Sequence, residues 1–206
     1  MIPIAFQEYG WNGSPVRVLA SDIGGTKSHL ALYHFKDGAF ELVHEKTYRS
    51  KSHSAFSDMV LDFIGGEDPP DCISVGVAGP VIKNTVKITN LSWSVSAAEC
   101  AQDTGIKNVF LINDLVANIY GIATLKEKDF MTFHEGTPDM TGNAAMISPG
   151  TGLGEAGLFW DGHYFHPFST EGGHADYAPE TEVDIELLRS LQKIHGHVSW
   201  ERVVSG

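Results

Sequence analysis

Twice in this chain an apolar, strand-like run enters a glycine-rich turn and a second strand-like run leaves it. Val16-Arg17-Val18-Leu19-Ala20 leads into Ser21-Asp22-Ile23-Gly24-Gly25-Thr26-Lys27, and strand character resumes over 29–35. Residues 143–148 lead into Pro149-Gly150-Thr151-Gly152-Leu153-Gly154, and 155–160 form the outgoing strand. Glycine loses more backbone freedom on folding than any other residue, so three glycines in five positions mark a backbone requirement. A duplicated strand–turn–strand unit restricts the chain to α/β architectures with two related halves.

Between the two turns the pattern alternates strands and helices. A strand over 40–48 follows Asp37-Gly38, a dipeptide that supplies the positive φ of a tight hairpin. Phe56, Met59, Val60 and Phe63 have helical spacing, and Gly65-Gly66 ends that helix. A strand over 72–77 and a short helix opened by the capping pattern Ser96-Ala97-Ala98-Glu99 come next. Val109-Phe110-Leu111-Ile112 is a buried strand running into Asn113-Asp114, and Leu115, Ile119, Ile122 and Leu125 mark an amphipathic helix after it. In the second half Thr181-Glu182-Val183-Asp184 starts a helix, with Ile185, Leu187, Leu188 and Leu191 as its expected buried face. These elements predict a flexible lead-in over 1–15, a first α/β domain over 16–124 and a second over 125–206. The second is expected to be incomplete, because the chain stops just after a new helix begins.

The formal net charge of −12, with Lys and Arg scattered, argues against a nucleic-acid or anionic-membrane partner, since both require a basic face. Cys72 and Cys100 are too few for a disulfide framework and read as small buried residues in a reducing compartment. No signal peptide and no apolar run of membrane-spanning length is recognisable, so a cytoplasmic protein is expected.

The residues that carry chemistry each admit a plainer role. In the first turn, consecutive backbone N–H groups make an anion nest, Lys27 adds a point charge, and Asp22 would hold Mg²⁺ directly or through water; the plainer alternative is an ordinary hairpin. The turn at 150–154 repeats the logic, against a β-turn or bulge. Asp114, at the carboxyl end of a buried strand where open α/β sheets place their ligands, is a candidate base for a hydroxyl nucleophile, or equally a helix cap. Glu171-Gly172-Gly173-His174, with Glu201 further on, offers the acceptors and donors that a polyol requires, although His174 alone reads as a surface histidine. His163, His166, His195 and His197 have poor metal-ligand spacing and are expected to be structural or exposed. Two phosphate cradles with one carboxylate base indicate a kinase acting on a polyol.

Six segments in this order resemble the bacterial-type glucokinases of the hexokinase–actin–Hsp70 superfamily: S-D-I-G-G-T-K at 21–27, T-N-L-S-W at 89–93, I-N-D at 112–114, P-G-T-G-L-G at 149–154, E-G-G-H at 171–174 and G-H-V-S-W-E-R-V-V-S-G at 196–206. The resemblance implies a ribonuclease H-like, actin-like ATPase fold of two α/β domains with a cleft between them. It implies ATP-dependent phosphorylation of glucose at the 6-hydroxyl with Mg²⁺, the first step of glycolysis, and is compatible with a homodimer. It makes Asp114 the catalytic base and Asn113, Asp114, Glu171, His174 and Glu201 the glucose ligands. Ser21, Asp22, Ile23, Gly24, Gly25, Thr26 and Lys27, with Gly150, Thr151 and Gly152, become the phosphate motifs. No cysteine follows Cys100, so the zinc cluster of the related repressor-type sugar kinases is not expected. Relatives continue beyond residue 206 with the adenosine-binding segment. A non-catalytic sugar-sensing module and a glycerol- or acetate-type kinase are the rivals on the same fold.

Overall fold

The structure, a computed structural model, describes residues 2–6, 14–88, 91–137 and 142–206. Thr89 and Asn90, and most of the 1–15 lead-in, lie outside the described residues. The chain divides into two compact units, Gln7–Ala117 and Met1–Phe6 with Asn118–Gly206. The division falls a few residues before the boundary expected at 124.

In the first unit, β1 (Val16–Ile23), β2 (Lys27–Lys36) and β3 (Ala39–Arg49) form an antiparallel meander. Helix α1 (Phe56–Ile64) leads to β4 (Cys72–Val77), which adds parallel to β1. The short pair β5 (Thr85–Lys87) and β6 (Ser94–Ser96) forms a separate ladder that periodicity does not reveal. Helix α2 (Ala97–Thr104) then leads to β7 (Asn108–Asn113), parallel to β4, and the sheet order is β3-β2-β1-β4-β7. The expected turn chemistry is present: Asp37 and Gly38 have φ of 53° and 79°, and α1 ends at the left-handed Gly65; α2 ends in the same way at Gly105. Ser96 Oγ accepts from Glu99 N, one half of the expected capping box.

The period of two along each strand builds the core. Leu32, Leu19, Ile73 and Val109 form one row across the sheet, and Leu30, Ser21, Val75 and Leu111 the next. Phe56, Met59, Val60 and Phe63 of α1 and Cys100 of α2 close over this face. Each such apolar side chain contributes about 1.5–3 kcal/mol through its burial.

Helix α3 (Asp114–Ile122) follows β7 directly and runs across the division between the units. In the second unit β8 (Ala144–Pro149), β9 (Leu153–Trp160) and β10 (Phe165–Thr170) repeat the antiparallel meander, again with the glycine turn between its first two strands. Residues 2–6 correct the expectation of a loose lead-in. Ile4 is buried and bridges Phe165, while Ala5 N donates to Phe165 O and Phe165 N to Pro3 O. Helix α4 (Glu182–His195) opens with the full capping box of Thr181 and Asp184, and α5 (Trp200–Val204) closes the chain. The expected inner face of α4 is only half realised. Ile185, Leu188 and Leu191 are partly covered, Leu187 is exposed, and no side chain of this helix is fully buried. Among the described residues no helix is long and apolar enough to cross a membrane.

The first glycine turn is pinned from behind by a residue that no motif signals. Ser50 is fully buried. Its hydroxyl donates to Gly24 O at 2.6 Å, its N–H to Thr26 O at 3.0 Å, and Ser28 Oγ lies 2.9 Å away. With the single Ser50 proton on Gly24, Ser28 must donate to Ser50. Ser50→Ala leaves Gly24 O and the buried Ser28 hydroxyl without partners, so unfolding free energy should fall by about 1–3 kcal/mol in urea titration; an unchanged midpoint would contradict this role.

Candidate functional site

The β7–α3 junction decides between the two roles offered for Asn113 and Asp114. Asn113 Oδ1 accepts from Leu115 N at 3.1 Å and Val116 N at 3.3 Å, so Asn113 caps the helix. Its Nδ2 donates to Gly79 O at 3.2 Å, leaving one amide proton for a ligand. Asp114 sits in the first turn, where a negative charge is favoured by the helix dipole. Its Oδ1 accepts from Leu115 N at 2.9 Å, and Oδ2 carries no hydrogen bond among the described residues. The capping work thus falls mainly on Asn113, and Asp114 keeps one oxygen for chemistry.

The parallel register brings a second carboxylate to the same end of the sheet. Asp22 pairs with Gly76 and Gly76 with Ile112, two residues before Asp114. Ala117 of α3 lies over Gly76, where an added Cβ would be 3.6 Å from the Ala117 Cβ. The Asp22 carboxyl is held above its ordinary value of 3.8, first by burial and then by the charge of Asp114, with His29 acting in the opposite direction. His29 is directly across the β1–β2 ladder from Asp22, and its Nε2 lies 3.1 Å from Glu45 Oε2. Lys27 and Arg49 oppose each other in the β2–β3 ladder. By the alternation of the strands they share the face of Asp22, so a pair of cations stands beside the turn. Arg49 was not singled out by the sequence, since only the register places it there.

Each glycine turn leaves two consecutive backbone N–H groups unpaired among the described residues. In the first, Gly24 N donates to Lys27 O, while Gly25 and Thr26 make no backbone bond through N–H. In the second, Gly150 N donates to Gly152 O, while the N–H groups of Thr151 and Gly152 are left over. Two adjacent donors of this kind suit an anion. Ser21 and Ile23 depart from expectation. Both side chains face the core, Ser21 Oγ has no partner among the described residues, and neither offers a side chain to a ligand.

In the second unit a backbone pairing assembles the polar cluster. Tyr177 N donates to Val198 O and Trp200 N to Ala175 O, which draws 175–177 against 198–200. Tyr177 and Trp200 pack edge-to-face at 4.9 Å. Glu201 is thereby carried to the E-G-G-H loop. His174 Nδ1 lies 3.1 Å from Glu171 Oε2, and His174 Nε2 lies 3.6 Å from Glu201 Oε1. His174 is therefore an exposed histidine flanked by two carboxylates rather than an isolated one. Gly173 is required by contact, since an added Cβ would lie 2.1 Å from Leu153 O. His166 and His197 are tied to Asp161 and Asp176 respectively. Among the described residues no group of three or more His, Cys, Asp or Glu is arranged to hold a metal ion unaided. Mg²⁺ does not need such a cage: one or two carboxylates, water and phosphate oxygens suffice. The Asp22–Asp114 pair beside the first glycine turn fits that description.

A carboxylate with a raised folded-state pKa stabilises the fold only as it takes up its proton. At neutral pH the charged Asp22 therefore costs stability. Asp22→Asn should raise the melting temperature at pH 7, and the gain should shrink as pH falls through the raised folded value and vanish below the ordinary value of 3.8, where both states are protonated. Thermal melts of the two proteins across that range check the sign; a variant less stable at pH 7 would refute it.

The chain is similar to known proteins. The glucokinase family profile matches residues 19–206. A glucokinase of Nostoc punctiforme is 38% identical over 194 residues, covering 92% of this chain and 57% of the relative. A glucokinase of Saccharophagus degradans is 35% identical over 192 residues, covering 91% of this chain and 60% of the relative. Among solved structures, a glucokinase from an Antarctic psychrotroph superposes with a TM-score of 0.74 at 32% identity, covering 92% of this chain and 61% of that one. The glucose complex of the Balamuthia mandrillaris glucokinase gives a TM-score of 0.69 at 21% identity, a likeness of fold, over 96% of this chain and 61% of that one. The chain thus spans less than two thirds of the length of these relatives. With the profile matched over nearly its whole length, and the motifs in family order on the expected α/β fold, the chain belongs to the glucokinase family.

Proposed function

We propose that this chain carries the residues for ATP-dependent phosphorylation of glucose at the 6-hydroxyl. The observation that supports it most is the Asp22–Asp114 pair. Two carboxylates, one with an oxygen unbonded among the described residues, stand at the carboxyl ends of two parallel strands that flank β4, beside a turn with two N–H groups unpaired among the described residues and two cations. Asp114 accepts the proton of the 6-hydroxyl as that oxygen forms its bond to the γ-phosphorus. The bond between the γ-phosphorus and the bridging oxygen to the β-phosphate breaks, and ADP leaves with the electron pair. Asp22 would hold Mg²⁺, which when bound neutralises charge on the phosphate oxygens. Lys27, Arg49 and the unpaired N–H groups supply the rest of that neutralisation, and phosphoryl transfer depends mostly on such positioning and electrostatics. Within the first unit Asn113 and Asp114 are proposed glucose ligands, and within the second Glu171, His174 and Glu201 are. That set combines acceptors with donors, as vicinal hydroxyls require, and the family supplies glucose as the hexose.

Glucose-dependent release of ADP from Mg-ATP tests the proposal. Asp114→Ala should lower turnover by about 100-fold or more while leaving glucose affinity within roughly tenfold, because the carboxylate acts mainly in the transition state. Near-normal turnover in the variant would remove Asp114 from the role of base. Glucose binding with no turnover in either this chain or a full-length relative carrying these residues would favour a sugar sensor.

A further inference from the structure

The glycine at 152 has a physical reason that its place in a phosphate motif does not suggest. A Cβ built there would lie 2.6 Å from Glu201 Oε2 and 3.3 Å from Glu201 Cδ. The carboxylate of Glu201 fills the space of the missing side chain. It is there because Oε2 accepts the N–H of Leu153, the residue that ends the turn, at 3.1 Å. The other oxygen, Oε1, faces His174 Nε2 at 3.6 Å, and His174 Nδ1 is 3.1 Å from Glu171. Within one unit, four groups therefore run in sequence from the second glycine turn to the E-G-G-H loop: Leu153 N–H, the Glu201 carboxylate, the His174 imidazole and the Glu171 carboxylate. The backbones also touch, since Gly173 leaves room for Leu153 O. The Glu201 side chain is 26% exposed, against 62% for His174 and 63% for Glu171, so the inner member of the series is the most shielded and the least screened.

The two ends of the Glu201 carboxylate are not held equally. The Leu153 contact has hydrogen-bond geometry, whereas 3.6 Å to His174 is beyond it. A hydroxyl brought between Glu201 and His174 can accept from the imidazole and donate to the carboxylate. Such a donor draws electron density and position away from the Leu153 N–H on the opposite oxygen. We propose that Glu201 is a positioning residue for the second glycine turn as well as a sugar ligand, so that filling the polyol site resets the turn that receives phosphate. The inference rests on the proposed function, since it takes 171–174 and Glu201 as the polyol site.

The test is a glucose titration of the ¹⁵N-labelled 206-residue chain, following the backbone amides of 150–153 and 172–175. In the unmodified chain both groups of amides should shift along one binding curve. Gly152→Ala pushes Glu201 aside without touching the hydroxyl-binding groups of the loop. The shifts at 172–175 should persist, while the response of the Leu153 amide at saturating glucose should fall by about fivefold or more, the low end of ordinary coupling between sites. Glu201→Gln retains an oxygen for the Leu153 N–H but loses the charge facing His174. The resting Leu153 signal should stay in place and its response to saturating glucose should be lost. Amides of 150–153 that stay still while 172–175 titrate would overturn the inference and leave the polyol site standing, as would an undiminished Leu153 response in Gly152→Ala. Silence of both groups in the unmodified chain would overturn the polyol site itself, and the inference with it.

Discussion

The parallel register of β1, β4 and β7 is the constraint on which the candidate chemistry depends. It is set by main-chain hydrogen bonds and held by the buried rows of Leu19, Ile73 and Val109 and of Val75 and Leu111. A one-residue slip would turn the apolar set of a strand to the other face, so the core enforces the alignment. Because Asp22, Gly76 and Ile112 share a row, the first residue of α3 arrives at the same end of the sheet as Asp22, with β4 between them. That alignment brings the two carboxylates to one end of the sheet, and burial first, then the charge of Asp114, raises the pKa of Asp22. Folded structures tolerate such a shift where a cation or a proton transfer is to be served.

Charge is distributed in opposition along the molecule. The chain carries a formal charge of −12, yet Lys27 and Arg49 face each other next to the first turn, on the face where a polyphosphate would meet Asp22. The second unit presents the complementary case, with Glu171 and Glu201 flanking His174. A cationic pair with free N–H groups suits phosphate, whereas carboxylates around an imidazole suit hydroxyls. The two turns look alike in sequence but are supported differently. Ser50 braces the first through its carbonyls, and Glu201 braces the second through an N–H.

Much of this was legible beforehand. The strands around both turns, the Asp37-Gly38 hairpin, the helix stop at Gly65 and the start of α4 at Thr181 follow from local rules, because periodicity, positive φ and capping are decided within a few residues. Other features were not legible, because they depend on residues distant in sequence. Ser50 looks like any serine at a strand end until β3 returns it to Gly24, and Arg49 acquires meaning only opposite Lys27. The 2–6 segment, expected to be loose, is tied to Phe165 far along the chain. Ser21 and Ile23 belong to the motif at 21–27, but strand alternation turns both into the core.

Residue types and their spacing by themselves determined that this chain alternates strands and helices, duplicates a glycine turn, and carries carboxylates and an imidazole in the family's order. They determined this because each signal is local: a φ angle, a cap, a period of two or of 3.6. Tertiary structure alone decided that Asn113 caps while Asp114 keeps an oxygen unbonded among the described residues, that Asp22 and Asp114 repel at the same end of the sheet, and that Gly152 makes room for Glu201. Those outcomes depend on register and on side chains approaching from distant parts of the chain. Van der Waals radii and Coulomb forces act on distances in space, and a linear sequence does not state those distances.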